Sequence, residues 1–262
     1  MSDPYASMRS GYVRDDLSAA EVAVAAAAVT PLVDAVRDLI DAVIRSEVGP
    51  EEVAAAQREI EQATARLRAV QLPGAFGVRL GDDHARSWGN PVVGVRNAMS
   101  LPLRVIKESR GSVWAEAELG PRFEGPPGLV HGGISALLLD QMVGEAAATA
   151  GTPGMTGKLT LRYVRPTPLG PLRFEATVER GEGVKTIVRA ALLAPDSDGD
   201  GWVVCVEAEA VMILPRWARA QIDATGASAI GGDALAEPSD SASAPTSIPT
   251  SAPTSTSIGD QS

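Results

Sequence analysis

One stretch, Gly125 to Asp140, constrains this chain more than any other: Gly-Pro-Pro-Gly-Leu-Val-His-Gly-Gly-Ile-Ser-Ala-Leu-Leu-Leu-Asp. A Pro/Gly-rich loop runs into paired glycines and then into an apolar run that predicts a helix over 133–150. Glycines at a helix start leave backbone N–H groups bare and approachable, which suits them to hold a developing oxyanion. Asp140 is the only charge between Glu124 and Glu145, so it enters apolar surroundings. A carboxylate there needs a reason. The pattern points to acyl chemistry, with donors at Gly132 and Gly133 and a base or nucleophile at Asp140. If the helix begins near Gly132, Asp140 lies about 12 Å along the axis at ~1.5 Å per residue. A carbonyl held by a donor at about 3 Å and attacked from about 3 Å needs the two groups much closer than that. One copy of the chain cannot supply both. The spacing therefore predicts a site completed by a second subunit, with Gly132 of one chain facing Asp140 of the other.

This stretch resembles the hotdog-fold acyl-CoA thioesterases, specifically the phenylacetate-pathway branch and its human relatives. That family carries His-Gly-Gly with an aspartate nine positions after the histidine, as in His131 and Asp140. Its pattern continues with Ser or Thr seven positions before a strand tyrosine in a segment ending Arg-Pro or Ser-Pro. Thr156 precedes Tyr163 by seven, within Leu-Thr-Leu-Arg-Tyr-Val-Arg-Pro at 159–166. The resemblance covers roughly residues 97–215. It implies that Gly132 N–H polarises a thioester carbonyl, that Asp140 attacks it or activates water, and that Thr156 orients the participants. Gly133 would assist in binding, and His131 would shape the turn. Some relatives have Asn six positions before the histidine, where this chain has Gly125.

The implied partners are an acyl-CoA substrate and further copies of this chain, as a homodimer or a dimer of dimers. Coenzyme A is then part of the substrate, and no cofactor or metal is expected. Lys158, Arg162, Arg165, Arg173, Arg180, Lys185 and Arg189 crowd one segment of an acidic protein. They fit strand-face solvation, or contacts to the phosphates of coenzyme A. The resemblance points to Arg162 and to Lys185-Thr186 as the CoA-contacting positions. The rival readings are a hotdog hydratase or dehydratase of 3-hydroxyacyl thioesters and a non-catalytic acyl-CoA-binding module. The former needs a His/carboxylate acid–base pair, for which His131 at the turn is poorly placed.

The expected fold class is α+β: an antiparallel sheet wrapped around one central helix, with an N-terminal helical hairpin extension. Residues 1–17 read as a flexible N-terminus and 18–72 as the hairpin, in which Ser18 and Glu21 have capping-box spacing. Val29, Val33, Val36, Ile40 and Val43 mark an amphipathic face, and Gly49-Pro50 breaks the first helix. Residues 73–96 read as a connecting loop. Over 97–217 the period changes to alternation, as in Leu172, Phe174, Ala176 and Val178, and about six strands are expected. Residues 218–262, mostly Pro, Ser, Thr, Ala and Asp, are too polar to offset ordering entropy and read as a disordered tail.

The net charge of −10 and the lack of a basic block argue against nucleic acid as a partner. Cys205 is the only cysteine, which fits a reducing cytoplasm. The longest apolar run, Val22–Val33, is interrupted by Thr30 and Pro31 and is too short to span a bilayer, so no membrane is expected. Two motifs need rejecting. Gly151–Thr160 lacks the Gly at 152 and the Ser or Thr at 159 of a phosphate loop. Asp196, Asp198, Asp200, Gly201 and Glu207 match an EF-hand loop, yet strand-like sequence follows, and the segment reads as an acidic hairpin turn.

Overall fold

A helix that is apolar on every side has to be enclosed, and one helix of this chain is of that kind. In the computed structural model, which describes residues 11–81, 85–101, 103–216 and 218, helix α3 (Gly132–Thr149) buries Ser135, Leu138, Leu139, Met142, Val143, Ala146 and Ala147. Wrapped around it is a six-stranded sheet of β4 (Ile106–Ser109), β5 (Ser112–Leu119), β6 (Met155–Tyr163), β7 (Gly170–Glu182), β8 (Lys185–Pro195) and β9 (Trp202–Ile213). The strand order is β4-β5-β7-β8-β9-β6, and every pair is antiparallel. Val113, Ala115, Leu172, Phe174, Val188, Leu192, Val206 and Ala210 supply the inner face and form one core with α3. Val92, Leu101 and Leu103 join the same core, and Asn90 Nδ2 donates to Gln141 Oε1 at 3.2 Å. This is the α+β hotdog arrangement that the sequence led us to expect.

The outer face of the sheet alternates acids and bases across strands. Arg162 pairs with Glu207, Arg189 with Glu179 and Glu209, and Arg173 with Glu116 and Glu175. Such exposed pairs contribute about 0–1 kcal/mol each. Four of the seven bases between 158 and 189, counting Arg180 with Glu179 and Glu182, are thus engaged by strand carboxylates.

Two helices precede the sheet. Helix α1 (Ala19–Arg45) opens on the expected capping box: Glu21 N–H donates to Ser18 Oγ at 3.3 Å, and Ser18 N–H to Glu21 Oε2 at 2.9 Å. Helix α2 (Pro50–Arg68) starts with Pro50 in its first turn, followed by Glu51 and Glu52, which suit the positive end of the helix dipole. Of the apolar stripe read from the sequence only Val33 is buried, while Val43 is exposed; α2 buries nothing. By length and composition α1 could cross a bilayer, which the short uninterrupted run in the sequence does not reveal. Its Arg37 is nevertheless buried against the globular part, donating through Nε to Ser100 C=O at 3.1 Å and through Nη2 to Ser100 Oγ at 2.9 Å. Arg122, in the 3₁₀ turn Pro121–Phe123, faces the same helix, and its guanidinium lies 4.7 Å over the Phe123 ring. Burial, with Arg37 nearby, pulls its pKa below the usual arginine value, opposed by Asp41 and Asp38 of α1.

The sequence reading needs correction at the N-terminal side. Residues 12–14, assigned to a flexible N-terminus, form β1 (Tyr12–Arg14), which pairs in parallel with β2 (Val78–Leu80). Residues 73–96, assigned to a loop, hold β2 and β3 (Ala85–Arg86) and the buried Val92. Strands of two or three residues are too short to register as a period. Tertiary contacts hold this small sheet: buried Arg86 pairs with Asp15, whose carboxyl is lowered by that hydrogen bond, and Phe76 stacks on Trp88 at 5.8 Å. The early strand anticipated near 101–107 starts at Ile106. Residues 1–10, His84 and the tail from 219 lie outside the described residues.

Because Leu139 is fully buried between α3 and the sheet, Leu139→Ala is expected to cost about 2–5 kcal/mol. Urea unfolding followed by circular dichroism checks this.

Candidate active site

The site begins with a loop strapped at several points. Gly125 N–H donates to Leu129 C=O and Leu129 N–H to Pro126 C=O, both at 2.9 Å, and Gly128 N–H reaches Glu124 Oε1 at 2.6 Å. Gly128 sits at φ +73°, where a side chain is costly. Val130 N–H then donates to Thr167 C=O and His131 N–H to Phe123 C=O, each at 2.9 Å. The loop folds so tightly that a Cβ on Gly125 would stand 2.8 Å from His131 Cα. The position at which some relatives carry asparagine has no room for a side chain here.

The first turn of α3 follows. A helix start leaves four N–H groups without intrahelical partners. His131 caps it: its Nδ1 accepts from Gly133 N–H at 3.0 Å, and its C=O accepts from Ile134 and Ser135 N–H at 2.9 and 3.3 Å. Among the described residues, only the Gly132 N–H of these four has no acceptor. Gly133, read from the sequence as a second donor, is already engaged by the histidine. Gly132 lines a cleft of about 360 Å³ together with Pro126, Val130, Ser135, Tyr163 and Pro166. Tyr163 Oη donates to Gly132 C=O at 2.9 Å, a contact the sequence reading missed.

Asp140 lies more than two turns along α3, half-buried, with no hydrogen-bond or ion-pair partner among the described residues. Thr156 owes its orientation to a β-bulge. Lys158, Thr160 and Arg162 pair with Val211, Glu209 and Glu207 on the outer face, and simple alternation would put Thr156 there too. The register shifts at Gly157, so Thr156 pairs with the buried Met212 and turns to the helix side, its Oγ1 3.6 Å from Met212 Sδ. A Cβ on Gly157 would overlap the Ile213 side chain. Thr186, also paired with Met212, shares this row and is buried.

Within one chain these groups form two separate clusters. Gly132 sits by Tyr163 at one end of β6, and Thr156 is at the other end, about 23 Å away at ~3.3 Å per residue. Arg162 is drawn to Glu207 by bonds of 2.8 and 2.6 Å from Nε and Nη2. Lys185 pairs in register with Ile213, six residues along β9 from Glu207, so about 20 Å separates it from Arg162. The acidic segment is a hairpin turn: Asp196 N–H donates to Gly201 C=O at 2.9 Å and Asp198 N–H to Asp196 Oδ1 at 3.1 Å, while Glu207 is carried off along β9. The described residues contain no cluster of three or more His, Cys, Asp or Glu suited to a metal ion.

A helix enclosed by an antiparallel sheet, with a free N–H at its mouth and, at Asp140, a carboxylate with no partner among the described residues, is a hotdog arrangement. Residues 127–197 match the thioesterase superfamily signature. A thioesterase superfamily protein of known crystal structure is 33% identical, over 71% of this chain and 90% of its own, with a TM-score of 0.60. The chain belongs to the thioesterase superfamily. It is also similar to acyl-coenzyme A thioesterase THEM4 of Xenopus laevis, 37% identical over 78 residues. That match takes in 29% of this chain and 35% of THEM4, so the chain spans about a third of that relative's length. The phenylacetic acid degradation-related protein of Ralstonia eutropha JMP134 is 27% identical over 44% of this chain and 86% of its own, with a TM-score of 0.37.

Gly125→Ala forces a Cβ against the His131 backbone and is expected to cost about 1–3 kcal/mol. A Cβ on Gly120 meets nothing within 4 Å, so Gly120→Ala is expected to leave the melting temperature unchanged. Differential scanning fluorimetry of the two variants makes the comparison.

Proposed function

We propose that this protein hydrolyses acyl-CoA thioesters to a carboxylate and free coenzyme A. The observation that carries the reading is the single unpaired N–H, that of Gly132, at a helix N-terminus lining a cleft. It would polarise the thioester carbonyl, and the helix dipole adds to the field at the developing oxyanion. Asp140 takes the proton of an attacking water, or attacks directly to form an anhydride that water then opens. Either way the C–S bond breaks and the coenzyme A thiolate leaves, to be protonated. Thr156 orients the water or the carboxylate, and Arg162, Lys185 and Thr186 are the proposed contacts to coenzyme A. The step draws on these groups of the chain and needs no metal.

The same reading requires two copies of the chain. Strand β6 is an edge strand of nine residues, most of them exposed. A long unpaired edge invites another strand. Two-fold pairing of β6 with itself about Leu159 and Thr160 exchanges its ends, bringing Thr156 of one copy opposite Tyr163, and hence Gly132, of the other. The Arg162 and Lys185 clusters, about 20 Å apart in one chain, would also approach each other across that axis. His131 argues against the hydratase alternative, because its Nδ1 is engaged as the helix cap and no carboxylate among the described residues pairs with it.

Thiol release from hexanoyl-, palmitoyl- and phenylacetyl-CoA tests the activity. Asp140→Asn is expected to lower kcat about 100-fold or more. Gly132→Pro is the sharper variant. It deletes the N–H at the first helical position, where the backbone accepts proline after a His131 already at φ −60°, ψ 129°, and it also sets a Cβ 3.2 Å from Tyr163 Oη. It is expected to cost about 10²–10³ in kcat. Co-refolding the two inactive variants in equal amounts should restore about a quarter of wild-type activity, since random two-fold pairing rebuilds one intact site in each mixed dimer. A wild-type chain that hydrolyses none of the esters overturns the reading; an inactive mixture removes the shared site.

A further inference from the structure

The Gly132–Gly133 peptide is gripped at both ends. Its N–H, on Gly133, donates to His131 Nδ1 at 3.0 Å, and its C=O, on Gly132, accepts from Tyr163 Oη at 2.9 Å. The two jaws come from different elements: the residue capping α3 and the last residue of the edge strand β6. Each needs a glycine to close. A Cβ on Gly132 would stand 3.2 Å from Tyr163 Oη and 3.4 Å from its ring, and a Cβ on Gly133 would stand 3.2 Å from His131 Nδ1. The doublet is thus explained one residue at a time.

We infer that Tyr163 is a positioning residue for the oxyanion donor, its hydroxyl holding the diglycine turn so that the Gly132 N–H keeps a single direction. The N–H in question belongs to the His131–Gly132 peptide, whose C=O points into the helix to accept from Ile134 and Ser135. In a trans peptide the N–H points the opposite way, outward from the helix end, and the described chain has no cis bonds. Two consecutive glycines give the turn little steric restraint of its own beyond these hydrogen bonds. A donor that wanders is worth little, because oxyanion stabilisation depends on groups already in place before charge develops. Tyr163 touches no reacting atom in this scheme, acting only through the Gly132 carbonyl. It is half exposed, at 54%, so its hydroxyl is not needed to fill the core.

The inference rests on the thioesterase reading above, and its test separates the two. Tyr163→Phe in the full-length chain removes the hydroxyl and keeps the ring. We expect kcat for the hydrolysed CoA ester to fall about tenfold, the loss expected for one neutral hydrogen bond. KM and the Kd for free coenzyme A should stay within about twofold, the pattern of an interaction that counts in the transition state. In parallel, amide hydrogen exchange at Gly133, followed by NMR, should accelerate in Tyr163→Phe while the core of α3 keeps its protection. That readout holds whether or not any ester is turned over. Unchanged exchange at Gly133, or a wild-type kcat in an active enzyme, overturns the clamp. Faster exchange with no hydrolysis by the wild type keeps the clamp as a feature of the turn, overturns its link to the oxyanion and leaves the substrate reading as the one that failed.

Discussion

The enclosure of α3 is the constraint from which the rest follows. A helix with Leu138, Leu139, Met142, Val143, Ala146 and Ala147 buried can exist in water only if something wraps it, and the curved sheet does so. Once wrapped, its two ends differ in kind. The C-terminal end returns directly into β6, whereas the N-terminal end is left at a cleft with a polar group unpaired. Burial of the helix body thus brings its start to the surface as an anion-accepting end. Asp140 is carried to mid-helix, where it has no hydrogen-bond or ion-pair partner among the described residues.

That separation also explains why the edge of the sheet matters chemically as well as structurally. Strand β6 carries Tyr163 at the end beside Gly132 and Thr156 at the other, and the bulge at Gly157 turns Thr156 inward. A regular strand would have placed Thr156 among the charged side chains of the outer face. The bulge costs one ladder position and re-aims one hydroxyl, a common use of bulges near sites. The Arg–Glu pairs on the outer face leave that surface balanced in charge, with no unpaired basic stripe among β7, β8 and β9 to compete for a phosphate.

Much of this was legible in the sequence, for identifiable reasons. Asp140 stands out because a charge in an apolar run is rare, and its separation from Gly132 along one helix follows from the spacing alone. The capping box at Ser18 and the alternation through Leu172–Val178 are local patterns, and local patterns survive into structure. Other features are not local. Which N–H stays free depends on the rotamer of His131, which closes on Gly133 and not on Gly132. The Tyr163–Gly132 bond joins residues 31 apart, and a one-residue bulge leaves no mark on composition. The need for glycine at 125 comes from the fold of its loop onto His131, beyond the reach of any periodicity.

The N-terminal helices extend the same logic of unfinished surfaces. The 33%-identical relative matches 71% of this chain, more than everything from β4 to the C-terminus, so the match reaches residues N-terminal to β4. Helix α1 is the first helix of the N-terminal arm. It meets the domain through Arg37 against Ser100 and through the turn that carries Arg122, and Phe123 of that turn accepts the His131 N–H. One short turn thus forms the path of contacts between α1 and the cap of α3. Helix α2, with no buried residue, contributes nothing to that path within one chain. Most helical stability in proteins comes from packing an amphipathic face, and within one chain α2 buries no such face. An edge strand without a neighbour and a helix without a floor are the two surfaces that the proposed pairing of copies would have to cover.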